Sequence, residues 1–456
     1  MKNTLDFLFG MKERVAREPY IKWGFALMAL KYAGEVGLYY LSSERFLTPL
    51  NFLSPVITLR YPNAPVQNVG DWFIPAIVLW SLPFVWIGVG MSIRRAADAG
   101  FSPWLGILFF IPGVNYLLMF GLCAVPTSPN VAWEPRASAQ PSMKAKSSSV
   151  MSPILSTIAF ALVGTLLVWF STNALKVYLN TLFAGSPLIL GLVQGYYLNS
   201  RTNARPGKII GYVSLTVLLI HLLLLLFALE GVICLLMSLP LATPLAVIGA
   251  IFGAGIAKYG KPGRLTPTMF VLALPILPLV ENQAIQPHTD VVLSKIEIAV
   301  SPEKVWPNVV KFSDLPPTND WLFKLGVAHP IRARIDGTGP GAIRRCEFST
   351  GAFVEPITAW EEPSRLAFDV QFQPQPMKEL SFYDSVDAPH LNGYFRSVRG
   401  EFRLIPTADG RTILEGRTWY EMDIHPGWYW QIYGRWFIHK IHLRVLDHIK
   451  NLSEKV

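Results

Sequence analysis

Read from the N-terminus, the apolar positions come first in long unbroken runs and only later in short alternating stretches. Runs at 23–41, 72–92, 154–172, 181–198, 209–229 and 231–256 approach the ~20 residues that a helix rising ~1.5 Å per residue needs to cross ~30 Å of hydrocarbon. Six membrane spans are predicted there, the last interrupted by Pro240 and Pro244. A further run, 104–125, is long enough but holds Pro112 and Gly113 at its middle, so a span and a hairpin that turns back both fit it. The run 265–280 is short and broken by Pro275 and Pro278. From Asp290 the texture changes to period-2 alternation with ordinary charge density, as expected of a soluble domain. A strand is predicted at 291–300. Ser301 then supplies an N-cap and Pro302 a favoured first helical residue ahead of Val305, Trp306 and Val309, which predicts a helix. Extended runs follow at 331–336, 342–350, 353–360, 365–372, 394–405 and 412–424, separated by turn residues such as Gly337, Gly339, Gly341, Asp409 and Gly410. These are the strands of one antiparallel sheet. The chain closes on a helix at 428–452, in which Ile438, Ile441, Val445, Ile449 and Leu452 make one apolar stripe.

Composition sharpens this division. Of 456 residues, 51% are hydrophobic and 16% charged, against about 25% charged in ordinary soluble domains, which excludes a single soluble globule. Lys and Arg number 20 before Asp290 and 20 from it onward, Asp and Glu 10 and 21, so the net +9 divides into +10 and −1. A basic surplus confined to the apolar part points to the anionic cytoplasmic face of a membrane and away from nucleic acid. Lys2, Lys12, Arg14, Arg17 and Lys22 precede the first apolar run and no small-residue cleavage site follows it, so no cleaved signal peptide is expected. The Ser-, Pro- and Ala-rich stretch 126–153, with Lys144 and Lys146, reads as a flexible linker. The expected domains are therefore 1–125, a second helical membrane region at 154–280 and a soluble domain at 290–456. With the N-terminus inside, strict alternation puts Arg201, Arg205 and Lys208, and then Lys258, Lys261 and Arg264, outside. A hairpin at Pro112 and Gly113 instead returns both basic loops to the cytoplasm, which is the preferred arrangement. If 265–280 then crosses, everything from Glu281 on is periplasmic.

Five sequence words carry two resemblances. IEIAVSPEKVW at 296–306, GPGAIRRCEFSTG at 339–351 and WFIHKIHLRVLDHI at 436–449 resemble the helix-grip fold of the START-like, polyketide-cyclase superfamily (SRPBCC). The resemblance implies a terminal helix closing a bent sheet over an apolar cavity for a lipid, sterol, polyketide or similar guest, and supplies no fixed catalytic motif. FGMKERVAREPYIKW at 9–23 and RRAADAGFSPWLGILFFIP at 94–112 resemble domain-of-unknown-function family 805, small bacterial inner-membrane proteins. Here Ala97 stands where that family usually has histidine, and Pro103 precedes Trp104. The fold class expected is a multi-helix transmembrane N-terminal region plus an α+β helix-grip domain.

Candidate chemistry concentrates in the last third. Alternation through 394–404 points Tyr394, Arg396, Val398, Phe402 and Leu404 inward, placing Arg396 among apolar neighbours. The same count sets Arg344, Cys346 and Phe348 on one face and Thr418, Tyr420 and Met422 with Leu414 on another. Glu355 is an available carboxylate whose face is open, because Phe353 and Ile357 compete with Val354 and Trp360. A desolvated arginine must pair or bind an anion. Either it anchors the carboxylate, phosphate or phenolate of an apolar guest, or it closes an internal pair with glutamate. The candidate ligand-binding residues are Arg344, Phe348, Glu355, Tyr394, Arg396, Thr418, Tyr420 and His442. His439, His442 and His448 do not share a helix face, and Cys123, Cys234 and Cys346 stand singly, so no metal site, disulfide framework or cofactor is expected. His442 lies in the apolar stripe, either as a proton donor or acceptor toward a cavity or as a hydrogen-bonded core histidine. In the membrane half, Lys31 and Glu35 are four apart and can neutralise each other. Arg94, Arg95 and Asp98 suit lipid headgroups and a local ion pair equally. The reading is a multi-pass protein of the bacterial inner membrane whose partners are the bilayer and a hydrophobic small molecule. A cyclase or aromatase using Tyr420, His442 or Arg396, and a lipid-transport or sensing module, are the alternatives.

Overall fold

The computed structural model describes residues 2–11, 13–54, 57–62, 72–128, 153–202, 204–259, 265–282, 289–383, 386 and 388–455. The expected linker lies largely at 129–152, with Lys144 and Lys146, outside the described residues, and so do Lys261 and Arg264 in the separate stretch 260–264. In chain order the helices are α1 (Lys2–Phe9), α2 (Arg17–Ser43), α3 (Pro49–Leu53), α4 (Ile57–Arg60), α5 (Phe73–Asp98), α6 (Val114–Ala124), α7 (Pro153–Trp169), α8 (Ser186–Thr202), α9 (Pro206–Leu226), α10 (Val232–Tyr259), α11 (Leu265–Ala273), α12 (Leu277–Glu281), α13 (Pro302–Val310), α14 (Trp321–Lys324) and α15 (Gly427–Ser453). The chain divides into two compact units, Met1–Gly164 with Ser186–Leu219 and Ala242–Leu274, and Thr165–Gly185 with Ile220–Leu241 and Pro275–Val456.

Among the described residues five helices are long and apolar enough to cross a membrane: Phe73–Asp98, Pro153–Ala174, Thr181–Arg201, Pro206–Leu226 and Val232–Tyr259. They coincide with five of the six predicted spans. The sixth, at 23–41, lies within the 27-residue α2, whose apolar character Gly24, Lys31, Gly34, Glu35 and Gly37 dilute. Pro240 and Pro244 do not break α10, since backbone groups freed by proline inside such helices find other partners. The 104–125 run is not one helix. A 3-10 segment, Pro103–Phe110, ends at a turn in which Gly113 takes φ 83°, a conformation natural to glycine. The 11-residue α6 then returns, too short at ~1.5 Å per residue to cross a bilayer.

Within the first unit, α8 and α10 meet through glycines. A Cβ added to Gly191 or Gly195 would lie 2.0 Å from the Ala246 carbonyl oxygen or 2.2 Å from that of Ala250, and one added to Gly249 or Gly253 would lie 2.0 or 1.9 Å from those of Leu188 or Leu192. Two GxxxG words thus let the backbones touch, which is how apolar helices associate where no hydrophobic effect separates them from lipid. Glu35 is fully buried. It pairs with Lys31 as predicted, and it also accepts from Arg60 (Nη2, 2.8 Å) and the Tyr61 hydroxyl (3.0 Å). Arg94 and Arg95 are buried, Arg94 donating to the Phe7 carbonyl at 2.8 Å and Arg95 to Leu122 at 3.2 Å and to Asp98. Of the two roles open to them, the local one is built.

In the second unit, seven antiparallel strands, β1 (Thr289–Ile298), β2 (Pro330–Asp336), β3 (Ile343–Phe348), β4 (Gly351–Glu361), β5 (Arg365–Asp369), β6 (Phe395–Pro406) and β7 (Thr412–Met422), lie in the order β1-β7-β6-β5-β4-β3-β2. With α13 and α14 after β1 and α15 at the end, this is the helix-grip arrangement. Period-2 alternation sends Val292, Ser294, Ile296 and Ile298 of β1 inward. They meet α15, whose buried Ile438, Val445, Leu446 and Ile449 extend the predicted stripe. Trp306, Val309, Phe312, Ile357, Leu366, Phe402 and Leu414 complete the core.

Candidate functional site

Beneath α15 the inner face carries polar groups in register. Asp290 pairs with Tyr420, and Val292 with Thr418, across β1 and β7. The fully buried Tyr420 hydroxyl donates to Asp290 Oδ2 at 3.1 Å, and Arg435 of α15 donates to the same oxygen at 2.7 Å. Two turns on, His442 bridges the strands, its Nε2 2.8 Å from Thr418 Oγ1 and its Nδ1 3.0 Å from Ser294 Oγ, which also meets His439 Nδ1 at 2.7 Å. Burial, aided by His439, depresses the His442 pKa from the usual 6.5 to about 3, because a charge there would be desolvated. Burial raises Tyr420 above its ordinary range, and Asp290 adds to the rise.

On the other side of the core, Arg344 and Glu355 face each other across β3 and β4 and form a buried ion pair. This resolves the face of Glu355: it points inward. Arg344 is 3% exposed and lies between the rings of Phe368, Phe402 and Phe312 at 4.7, 5.8 and 5.9 Å. Its Nε has no hydrogen-bond partner. Burial pushes the Glu355 carboxyl up and Arg344 holds it back. Phe348 packs against Phe353 with the rings tilted by 54° and their centroids 4.7 Å apart, against the same core.

Two predicted residues lie elsewhere. Arg396 is not buried: its side chain is 58% exposed and pairs with Glu421. The pairing of β6 with β7 shifts between Ser397 and Arg399, and such a bulge reverses which side chains face inward. Phe402 and Leu404 are inside as predicted, whereas Arg396 and Val398 are outside. Tyr394 precedes β6, half-buried, and its hydroxyl donates to the Lys176 carbonyl. Arg344, Phe348 and Glu355 thus form one group, and Thr418, Tyr420 and His442 another, with Ser294, Asp290 and Arg435 as members that alternation along β1 and the α15 pattern could have supplied.

A third grouping has no counterpart in the sequence reading. Glu230 in the α9–α10 turn, Cys234 in the first turn of α10, and Glu379 and His390 from the segment between β5 and β6 place one donor atom each within 4.8 Å of one another. Cys234 Sγ lies 2.9 Å from Glu379 Oε1 and 3.1 Å from His390 Nε2. His390 Nε2 is 3.3 Å from Glu379 Oε1, and its Nδ1 3.2 Å from Glu230 Oε2. Tyr178 donates to Glu230 Oε1 at 3.1 Å. Burial opposes charge on His390, but the Cys234 sulfur and the Glu230 carboxylate outweigh it and hold its pKa well above the ordinary value. The available signal was Glu230 and Cys234 four apart at the edge of an apolar run; nothing along the chain joins them to 379 or 390.

A family model described as a protein of unknown function (DUF805) matches residues 8–133. Comparison with curated proteins gave no match. Similar solved structures include truncated norcoclaurine synthase from Thalictrum flavum, 15% identical over 38% of this chain and 98% of that one with a TM-score of 0.25. Others are the same enzyme in complex with dopamine and hydroxybenzaldehyde, 15% identical over 37% and 90% with a TM-score of 0.24, and a protein from Nitrosospira multiformis, 18% identical over 35% and 94% with a TM-score of 0.23. The fold assignment rests on the strand order and helix placement of the chain itself.

Proposed function

We propose that this multi-pass protein of the bacterial inner membrane holds an apolar, membrane-derived small molecule bearing an anionic group in its helix-grip domain, on the periplasmic side. The observation that carries the reading is Arg344: a guanidinium buried among three aromatic rings with Nε unpartnered. Guanidinium is matched in shape to carboxylate and phosphate, and Glu355, engaged through Nη1, leaves the Nε–H over. The aromatic walls would bury the rest of the guest, and the helices of bilayer-crossing length in the same chain keep the domain beside its source. Phe348 and Glu355 belong to this site as wall and counter-ion; Thr418, Tyr420 and His442 would meet a guest's second polar group. Tyr394 and Arg396 drop out on position. That also weakens the cyclase alternative, since Arg396 does not converge with Tyr420 and His442 as shared acid-base work requires.

The test uses the full chain in nanodiscs with a fluorescent fatty acid, alongside organic extraction and mass spectrometry of the purified protein. The expected result is a reproducible co-purifying amphiphile, and an affinity for the probe that Arg344→Met lowers about 10- to 100-fold, the loss of a hydrogen bond to a charged group. No guest, together with probe affinity equal to that of empty nanodiscs, would end the proposal.

A further inference from the structure

Glu379 and His390 are 4% and 6% exposed, and the third grouping leaves one buried carboxylate oxygen unsatisfied: Glu379 Oε2 has no hydrogen-bond partner. Two buried carboxylates meet there. Among the described residues neither is in an ion pair with any Lys or Arg, only with His390. Buried carboxylates persist when they are paired, hydrogen-bonded or bound to metal. The backbone is also shaped to the carboxylate. A Cβ on Gly231 would lie 1.8 Å from Glu379 Oε2 and 2.6 Å from its Cβ, and Val232 N–H donates to the Leu380 carbonyl at 3.0 Å, so the 379 segment is seated directly on the start of α10.

We infer that Glu230, Cys234, Glu379 and His390 form a binding site for one divalent transition metal ion, zinc above all, which ties the segment between β5 and β6 to the first turn of α10. One sulfur, one imidazole nitrogen and two carboxylate oxygens are the donor types of four-coordinate zinc. Thiolate and imidazole disfavour magnesium and calcium, which take oxygen ligands. Donors around a tetrahedral ion with bonds of about 2.0–2.3 Å stand roughly 3.3–3.8 Å apart; Cys234 Sγ, Glu379 Oε1 and His390 Nε2 lie a few tenths inside that, at 2.9–3.3 Å, and the Glu230 donor completes the set within 4.8 Å, so small side-chain rotations would bring the four around one ion. Tyr178, donating to Glu230, would orient a ligand carboxylate from outside, a support usual around metal sites. Four protein donors leave no open position, which makes the site structural rather than catalytic.

The experiment is metal analysis of the full chain purified in detergent without chelator, followed by exchange with cobalt(II). About one equivalent of metal per chain is expected, with a thiolate-to-cobalt charge-transfer band and the visible bands of tetrahedral cobalt. Cys234→Ser and Glu379→Gln should abolish the charge-transfer band and most of the bound metal respectively, while Cys346→Ser leaves both. Chelator should expose the segment around Met377 to protease in the wild-type chain. If Cys234→Ser or Glu379→Gln does not fold, the wild-type cobalt spectrum and chelator-dependent proteolysis decide. Metal well below one equivalent after reconstitution, absence of the charge-transfer band, or a band that survives Cys234→Ser overturns the inference. Alkylation of Cys234 at the same rate with and without metal does so too, and favours a thiol–imidazole–carboxylate nucleophile instead.

Discussion

His442 shows how one side chain ties the terminal helix to two strands and makes their union depend on pH. Its ring is held between Ser294 and Thr418, and its pKa falls from 6.5 to about 3 on folding. Above pH 6.5 the ring is neutral in both folded and unfolded chains, and its contribution to stability is complete. As the pH falls from 6.5 toward 3, the unfolded chain takes up a proton that the folded chain refuses. Stability is then lost at up to about 1.4 kcal/mol per pH unit. Thermal unfolding of the detergent-solubilised protein across this window should show His442→Gln with a shallower decline than wild type. Equal slopes would mean that the buried ring is not the group responsible. The sequence placed His442 in the apolar stripe but left its role open, because the partners Ser294 and Thr418 come from strands that are neighbours only in the folded sheet.

Helices and strands were legible to different depths. Strand positions follow from alternation because a half-buried strand must send every second side chain inward. The same rule fails at the β6 bulge, where one irregular pair between Ser397 and Arg399 moved Arg396 from the predicted interior to the surface. Apolar runs located the spans but not which helices meet. The spacing of Gly191 with Gly195 and Gly249 with Gly253 was present in the sequence, yet only the structure pairs α8 with α10. Gly195→Ala should lower the unfolding temperature in detergent by the equivalent of about 1–3 kcal/mol of overpacking, because its Cβ would meet the Ala250 carbonyl. Gly211→Ala on α9, where nothing lies within 4 Å, should be neutral within about 0.5 kcal/mol. Equal effects at the two positions would show that the glycine contact does not hold the helices.

At the scale of the whole molecule, the charge split and apolar runs describe a protein that lives in a bilayer and carries a folded domain beside it. The basic loops put Arg201, Arg205 and Lys208 on the cytoplasmic side, and the proposed periplasmic place of the helix-grip domain further requires that 265–280 cross. A C-terminal alkaline phosphatase fusion should be active and a C-terminal green fluorescent protein fusion exported by the general secretory route dark; the reverse pair would place the domain in the cytoplasm. Order of elements, strand boundaries, membrane character and the closing helix were set locally, by periodicities that each segment carries within itself. Besides the meeting of α8 with α10 and the partners of His442, tertiary structure alone decided the bulge that turned Arg396 outward, the pairing of Arg344 with Glu355, and the meeting of Glu230 and Cys234 with Glu379 and His390. The last joins residues 145 and 156 positions apart. Local pattern records which face a side chain takes within its own element; which distant charge it will find depends on how the elements close on one another.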